Sequence, residues 1–106
     1  MIKIGGIYKT NTNTKTEYFI PLAITDVAVY YYILHVDQNK IWTNDKINKI
    51  LEKSKLIHKN FWYYSVNQYD QTFNSIECGY LGNVNDKNLE KLLNTLQHRS
   101  AYIDGY

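Results

Sequence analysis

The chain has 106 residues, of which 44% are hydrophobic and 21% charged, and a formal charge of +2. That length suits one domain, residues 1–106, with a modest core. The small charge does not by itself point to nucleic acid, and it argues against an acidic mimic of nucleic acid.

The single Cys78 excludes an internal disulfide and suits a reducing compartment. Tyrosine occurs eleven times. Its large ring at low rotamer cost, tipped with a hydroxyl, suits surfaces that alternate between water and a partner. The richness in Asn, Lys, Ile and Tyr is also what AT-rich coding DNA produces. MIKIGG lacks the apolar core of a signal peptide, and the longest apolar stretch, 18–36, is broken by Pro21, Asp26 and three adjacent tyrosines. The expectation is a cytoplasmic protein with no membrane partner.

In chain order, IKIGGIY at 2–8 reads as a strand with a glycine pair permitting a bulge, and KTNTNTKT at 9–16 as a loop. Tyr18, Ile20, Leu22 and Ile24 alternate as a second strand, in which Pro21 cannot donate to a ladder and so marks an edge or a bulge. Thr25 and Asp26 turn the chain into DVAVYYYILHV, making a hairpin of 17–36. That strand is apolar on both faces, with Val27, Val29, Tyr31 and Ile33 on one and Ala28, Tyr30, Tyr32 and Leu34 on the other. Either a helix covers the second face, or that face docks on something outside the chain.

After the DQNK turn at 37–40 come Ile41 and Trp42, and then the period changes. Ile47, Ile50, Leu51 and Ile57 form a helical stripe, which predicts a helix over 45–57 capped by Asn44. FWYYSV at 61–66 and TFNSIECGYL at 72–81 read as another hairpin, with Gly79 and Gly82 flanking a bend. Asn85 then caps a helix over 86–98, whose stripe is Leu89, Leu92, Leu93 and Leu96. The expected fold is α+β: a small, strongly coiled antiparallel sheet or SH3-like barrel of five to six strands with two helices.

Signals for catalysis are sparse. His58 and His98 fall near predicted helix C-termini, where imidazole complements the dipole. His35 ends the YYY strand and is a polar tip or, with Lys15, an acid and base pair. No His or Cys spacing suits a metal, so neither metal nor cofactor is expected. Cys78 lies in a strand-like stretch as a small hydrophobe. The glycines form no phosphate-binding pattern, the lysines of the first helix spread around its solvated side, and only Lys9 and Lys15 in the first loop are candidates for nucleic acid.

IKIGGIY, YFIPLAI, VAVYYYILH and YLGNVNDKNLEKLLNTL together resemble the MazF/PemK family of toxin endoribonucleases. The resemblance spans most of the chain and implies a small SH3-like barrel with helices that dimerises. It also implies that the catalytic arginine precedes the proline, where this chain has Ile20, and that a catalytic Thr or Ser closes the third strand, where it has His35. Ile20 cannot stabilise charge on a phosphate, so the family mechanism is not expected here.

The leading expectation is therefore a non-enzymatic binding protein, of the kind a phage or mobile element uses to mask a host defence protein. Its partner-binding candidates are Tyr18, Tyr30, Tyr32, Trp42, Trp62 and Tyr64. The alternative is a MazF/PemK-like toxin or RNA-binding relative acting on single-stranded RNA, and a third reading is a homodimer joined through its tyrosine face.

Overall fold

The computed structural model describes residues 2–11, 16–37, 39–65 and 79–104, with the side chains of Asn11, Tyr64 and 99–104 left aside. Five antiparallel strands, β1 (Gly6–Asn11), β2 (Thr16–Ile24), β3 (Ala28–His35), β4 (Phe61–Ser65) and β5 (Tyr80–Asn83), form one sheet in the order β4-β3-β2-β1-β5. Two helices, α1 (Asn44–Lys53) and α2 (Asp86–Asp104), complete an α+β fold. This is the expected α+β antiparallel sheet with two helices; among the described strands it is open, with β4 and β5 at its edges, the sheet form of that expectation and not the closed barrel.

The β2–β3 hairpin forms as its alternation predicts. Its turn is fixed by Thr25, whose hydroxyl accepts from the amides of Val27 and Ala28 at 3.3 and 3.0 Å. The register pairs Tyr18 with Leu34, Ile20 with Tyr32 and Phe19 with Ile33, and it shifts between Pro21 and Ala23. Proline cannot donate to the ladder, and the bulge absorbs that gap. Pro21 still accepts on its carbonyl, from the amide of Gly5 at 2.8 Å, while the Gly5 carbonyl accepts from Val84 at 2.8 Å. Gly5 makes this double link at φ +81°, a left-handed conformation that favours glycine.

Alternation sorts the sheet's side chains into two cores. Ile7, Tyr18, Ile20, Leu22, Tyr32, Leu34 and Phe61 lie on the side of both helices and pack with Ile47, Leu51 and Leu92. Ile2, Tyr8, Phe19, Val29, Tyr31 and Ile33 form a second buried cluster on the opposite face, where the Phe19 and Tyr31 rings lie 4.8 Å apart. Both faces of DVAVYYYILHV are therefore largely buried over 28–34, with Tyr30 half-buried. The expectation that one of them forms an open docking surface is corrected.

Helix α1 starts one residue earlier than predicted, capped by Thr43, whose side chain accepts from the Lys46 amide at 3.3 Å. It ends at Lys53, four residues short of the predicted limit, because Ser54 turns to extended backbone and Leu56 dives into the core. Ile57 is left outside the helix, its amide donating to the Tyr32 hydroxyl at 3.1 Å. His58 thus belongs to a separate 3-10 turn, His58–Asn60, and His98 lies inside α2, which continues to Asp104. Neither histidine sits at a helix C-terminus as expected. Asn85 caps α2 as predicted, accepting from the Asn88 amide at 2.8 Å.

GYLG is strand where a bend was expected: β5 pairs with β1, Gly6 opposite Asn83. Gly82 has φ +153°, and a Cβ there would come 2.7 Å from the Asn44 Cβ. Of the expected partner strand for β4, residues 72–81, the described end belongs to β5, which pairs with β1 and not with β4, while 72–78, with Cys78, and Lys15 lie outside the described residues.

The helices meet through amides. Asn88, 2% exposed, donates through Nδ2 to both the carbonyl and Oδ1 of Asn48 at 2.9 Å. Asn48 in turn donates to Asn44 and Asn83 carbonyls and accepts from the Asn85 amide. Lys91 donates to the carbonyls of Leu51 and Ser54 at 2.7 and 2.9 Å, closing the C-terminal end of α1 from α2.

Two outcomes follow for urea denaturation. Asn88→Leu removes the two hydrogen bonds that Asn88 donates to the Asn48 carbonyl and Oδ1 and is expected to lower stability by about 1–3 kcal/mol; an unchanged midpoint would show that the amide joint is idle. Gly82→Ala is expected to cost about 1–3 kcal/mol through strained backbone, with the loss relieved little by Asn44→Ala, since the φ requirement remains.

Candidate functional site

The structure separates the aromatic candidates into two groups. Tyr18 and Tyr32, each 2% exposed, are core residues, which corrects their assignment to a partner-binding face. Tyr32 stands opposite Ile20 and Phe61, meets the Phe61 ring edge-on at 4.7 Å, and has its hydroxyl occupied by the Ile57 amide. Trp42 is half-buried against the helix-side core, and its indole N–H donates to the Asp37 carbonyl at 2.8 Å. The side chain of Tyr64 lies outside the description.

What stays open is the β4 side of the sheet. Trp62 is 56% exposed and Tyr63 65%, and as neighbours on a strand they point to opposite faces. Trp62 pairs with Tyr31 and Tyr63 with Tyr30, and the half-buried Tyr30 ring lies 5.9 Å from that of Tyr63. Ile57, just before β4 in the chain, is also exposed. FWYYS carries no charge. Strands at sheet edges are commonly guarded by Lys, Pro or an inward-pointing charge, and β4, outermost of the described strands, has none of these.

A second feature lies on the helix side, at the far end of β1 and β2. There a cleft of about 320 Å³ is lined by Lys9, Thr16, Tyr18, Lys40, Trp42 and Leu81, together with Asn39 and Ile41. Register brings Lys9 opposite Tyr18, and the turn at Asp37 carries Lys40 and Trp42 to the same place. That turn is held by the Asp37 carboxylate, which accepts from the Asn39 amide at 2.9 Å. Among the described residues no carboxylate lines the cleft. Burial pushes the Tyr18 phenol above its ordinary value of 10.0.

Lys9 thus joins two of the aromatic candidates, Tyr18 and Trp42, in one cleft, while Lys15 is outside the described residues. Lys40 and Leu81 were missed. The sequence held a signal for Lys40 in its position two residues before a tryptophan, but nothing local announced that β5 brings Leu81 against β1.

His35 is exposed at the end of β3, its Nδ1 3.7 Å from Oε1 of Glu17, its cross-strand partner. Alternation puts this pair on the face opposite Lys9 and Tyr18. Ile20, at the position the MazF/PemK resemblance equates with a catalytic arginine, is fully buried in the helix-side core. Among the described residues no group of three or more His, Cys, Asp or Glu side chains could hold a metal, and no helix is long and apolar enough to cross a membrane.

The Tyr18 shift predicts an alkaline effect. An unfolded tyrosine ionises near 10.0 and the buried one higher, so the native state binds more protons above that pH. Its contribution is complete below the unfolded value and is lost as pH rises from there through the folded value. Urea midpoints compared at about pH 8 and about pH 11 should fall less in Tyr18→Phe than in the parent chain; equal falls would refute the assignment. Comparison with protein-family models, with curated proteins and with solved structures finds no match.

Proposed function

We propose that the chain is a non-enzymatic binding protein that covers a surface of another protein through the aromatic side of its sheet at β4. The observation that carries this reading is the pair Trp62 and Tyr63, adjacent, more than half exposed and unaccompanied by charge on their strand. Water contact with two large rings is unfavourable by about 25 cal/mol per Å² of apolar area, and the chain buries Tyr8, Tyr18, Phe19, Tyr31, Tyr32 and Phe61 on the two faces of the same sheet. Interface centres favour Trp and Tyr with few charges around them.

Tyr30 supports the patch from behind Tyr63, so the exposed rings stand on a rigid, hydrogen-bonded strand pair. A partner reaching both faces of β4 would bury Trp62 and Tyr63 together. The composition, with its AT-rich coding signature, suggests the form of this reading in which a phage or mobile element supplies the chain to mask a host defence protein.

Trp62→Ala with Tyr63→Ala removes exposed rings only, so stability should change by no more than about 0.5 kcal/mol per site, while capture of a single host protein by the tagged chain should disappear. Tyr30→Ala should weaken capture less. Capture undiminished in the double variant, or a salt-resistant homodimer that the double variant dissociates, would reject the proposal in favour of another surface or of self-association.

A further inference from the structure

The cleft between the β1–β2 register and the turn after Asp37 has a composition that the β4 reading does not use, and the argument from it is independent of that reading. Its polar side carries Lys9, Lys40 and Thr16, and its apolar side Ile41, Trp42 and Leu81. Neither lysine has an ion pair among the described residues. Of the two acids closest in sequence, Glu17 faces His35 on the other side of the sheet, and Asp37 uses Oδ1 to accept from the Asn39 amide. Two ammonium groups beside an apolar wall favour an anion with an apolar body.

The floor supplies a second, independent observation. Tyr18 is 2% exposed, yet its hydroxyl makes no hydrogen bond among the described residues. Among the described residues no sealed side-chain polar atom is left unpartnered, so the hydroxyl is not sealed off, and Tyr18 lines this cleft. The other buried tyrosines with assigned hydroxyl bonds spend them on the backbone: Tyr8 accepts from the Lys3 amide at 2.7 Å and Tyr32 from the Ile57 amide. Tyr18 differs from these two in that its hydroxyl neither accepts nor donates a hydrogen bond among the described residues. Trp42, meanwhile, is fixed in orientation by its bond to the Asp37 carbonyl.

We infer that this cleft binds a nucleoside monophosphate, with the phosphate held by Lys9 and Lys40, the base against Trp42, and the Tyr18 hydroxyl donating to the bound molecule. The volume of about 320 Å³ is at the small end of the ligand-cleft range, about 300–1,000 Å³, and accommodates one nucleotide and not a chain of them. Two ammonium groups match the charge of a phosphomonoester, and an aromatic wall matches a base, whose stacking is tolerant of base identity.

The test is titration with AMP, GMP, CMP and UMP of the chain carrying Trp62→Phe, which leaves Trp42 as its sole tryptophan, read by fluorescence. Amide chemical shifts of the unsubstituted chain provide a second reading. The expected result is a saturable response, with shifts centred on Lys9 and on residues 39–42. Affinity should fall about tenfold or more in Lys9→Ala/Lys40→Ala and severalfold in Tyr18→Phe, and adenosine or inorganic phosphate alone should bind far more weakly. Both lysines are exposed, so the double variant retains the fold, which far-UV circular dichroism verifies. No saturable response to any mononucleotide at about millimolar concentration, or equal affinity in the lysine double variant, overturns the inference. So does tight binding of an oligonucleotide where mononucleotides give none, since that would make the cleft part of a single-strand groove.

Discussion

The β2–β3 pair is apolar on both faces, and the rest of the molecule is arranged around that fact. In most half-buried sheets a one-residue slip would carry the hydrophobic set into water, so burial alone fixes the register. Here a slip would exchange Tyr18, Ile20 and Tyr32 for Phe19, Tyr31 and Ile33, one apolar set for another. The register must be held by directional bonds. The bulge after Pro21 provides one anchor, the Gly5 link to the Pro21 carbonyl a second, and the Tyr32 hydroxyl, accepting from the Ile57 amide, a third. Tyrosine instead of phenylalanine at position 32 helps convert a greasy sheet into one with a single alignment.

The same need for direction explains the polar joint between α1 and α2. Both helices cover one face of the sheet, and leucines and isoleucines would allow them to slide. Asn48 and Asn88, with Lys91 closing the carbonyls at the end of α1, fix their mutual position at the price of burying amides that must all be satisfied. Asn48 also reaches the Asn83 carbonyl and the Asn85 amide, tying the exit from β5 to the helix pair. Since β5 holds Leu81 against one wall of the cleft, the geometry of that cleft depends on asparagines at the opposite end of the strand.

Local features were legible and long-range ones were not. Thr25, the alternation of 18–24 and the leucine stripe of α2 each have a local physical cause, and each appears where that cause places it. The end of α1 was misread because Ile57 continues the helical period by coincidence; the competing factor, Leu56 turning into the core, acts through tertiary packing. The pairing of β5 with β1 joins residues more than seventy positions apart in the chain, which no periodicity reports. The candidate sites suffered the same loss. Trp62 could be named from composition, but Tyr18 and Tyr32 look identical to it in a strand pattern that is aromatic on both faces.

What finally distinguishes the tyrosines is the destination of the hydroxyl. A ring buried with its oxygen bonded to the backbone, as in Tyr8 and Tyr32, has both its apolar and its polar part used by the fold. Tyr63 is the reverse, with most of its surface in water, and its ring is available to a partner of matching shape. Tyr18 is the intermediate case: its ring belongs to the core, and the residue lines the Lys9 and Lys40 cleft. Desolvation without a compensating bond disfavours its phenolate, so at neutral pH it is a donor in waiting. A fold short of core volume can afford many tyrosines only if each oxygen has somewhere to go, and the oxygen with nowhere to go inside the chain marks where another molecule fits.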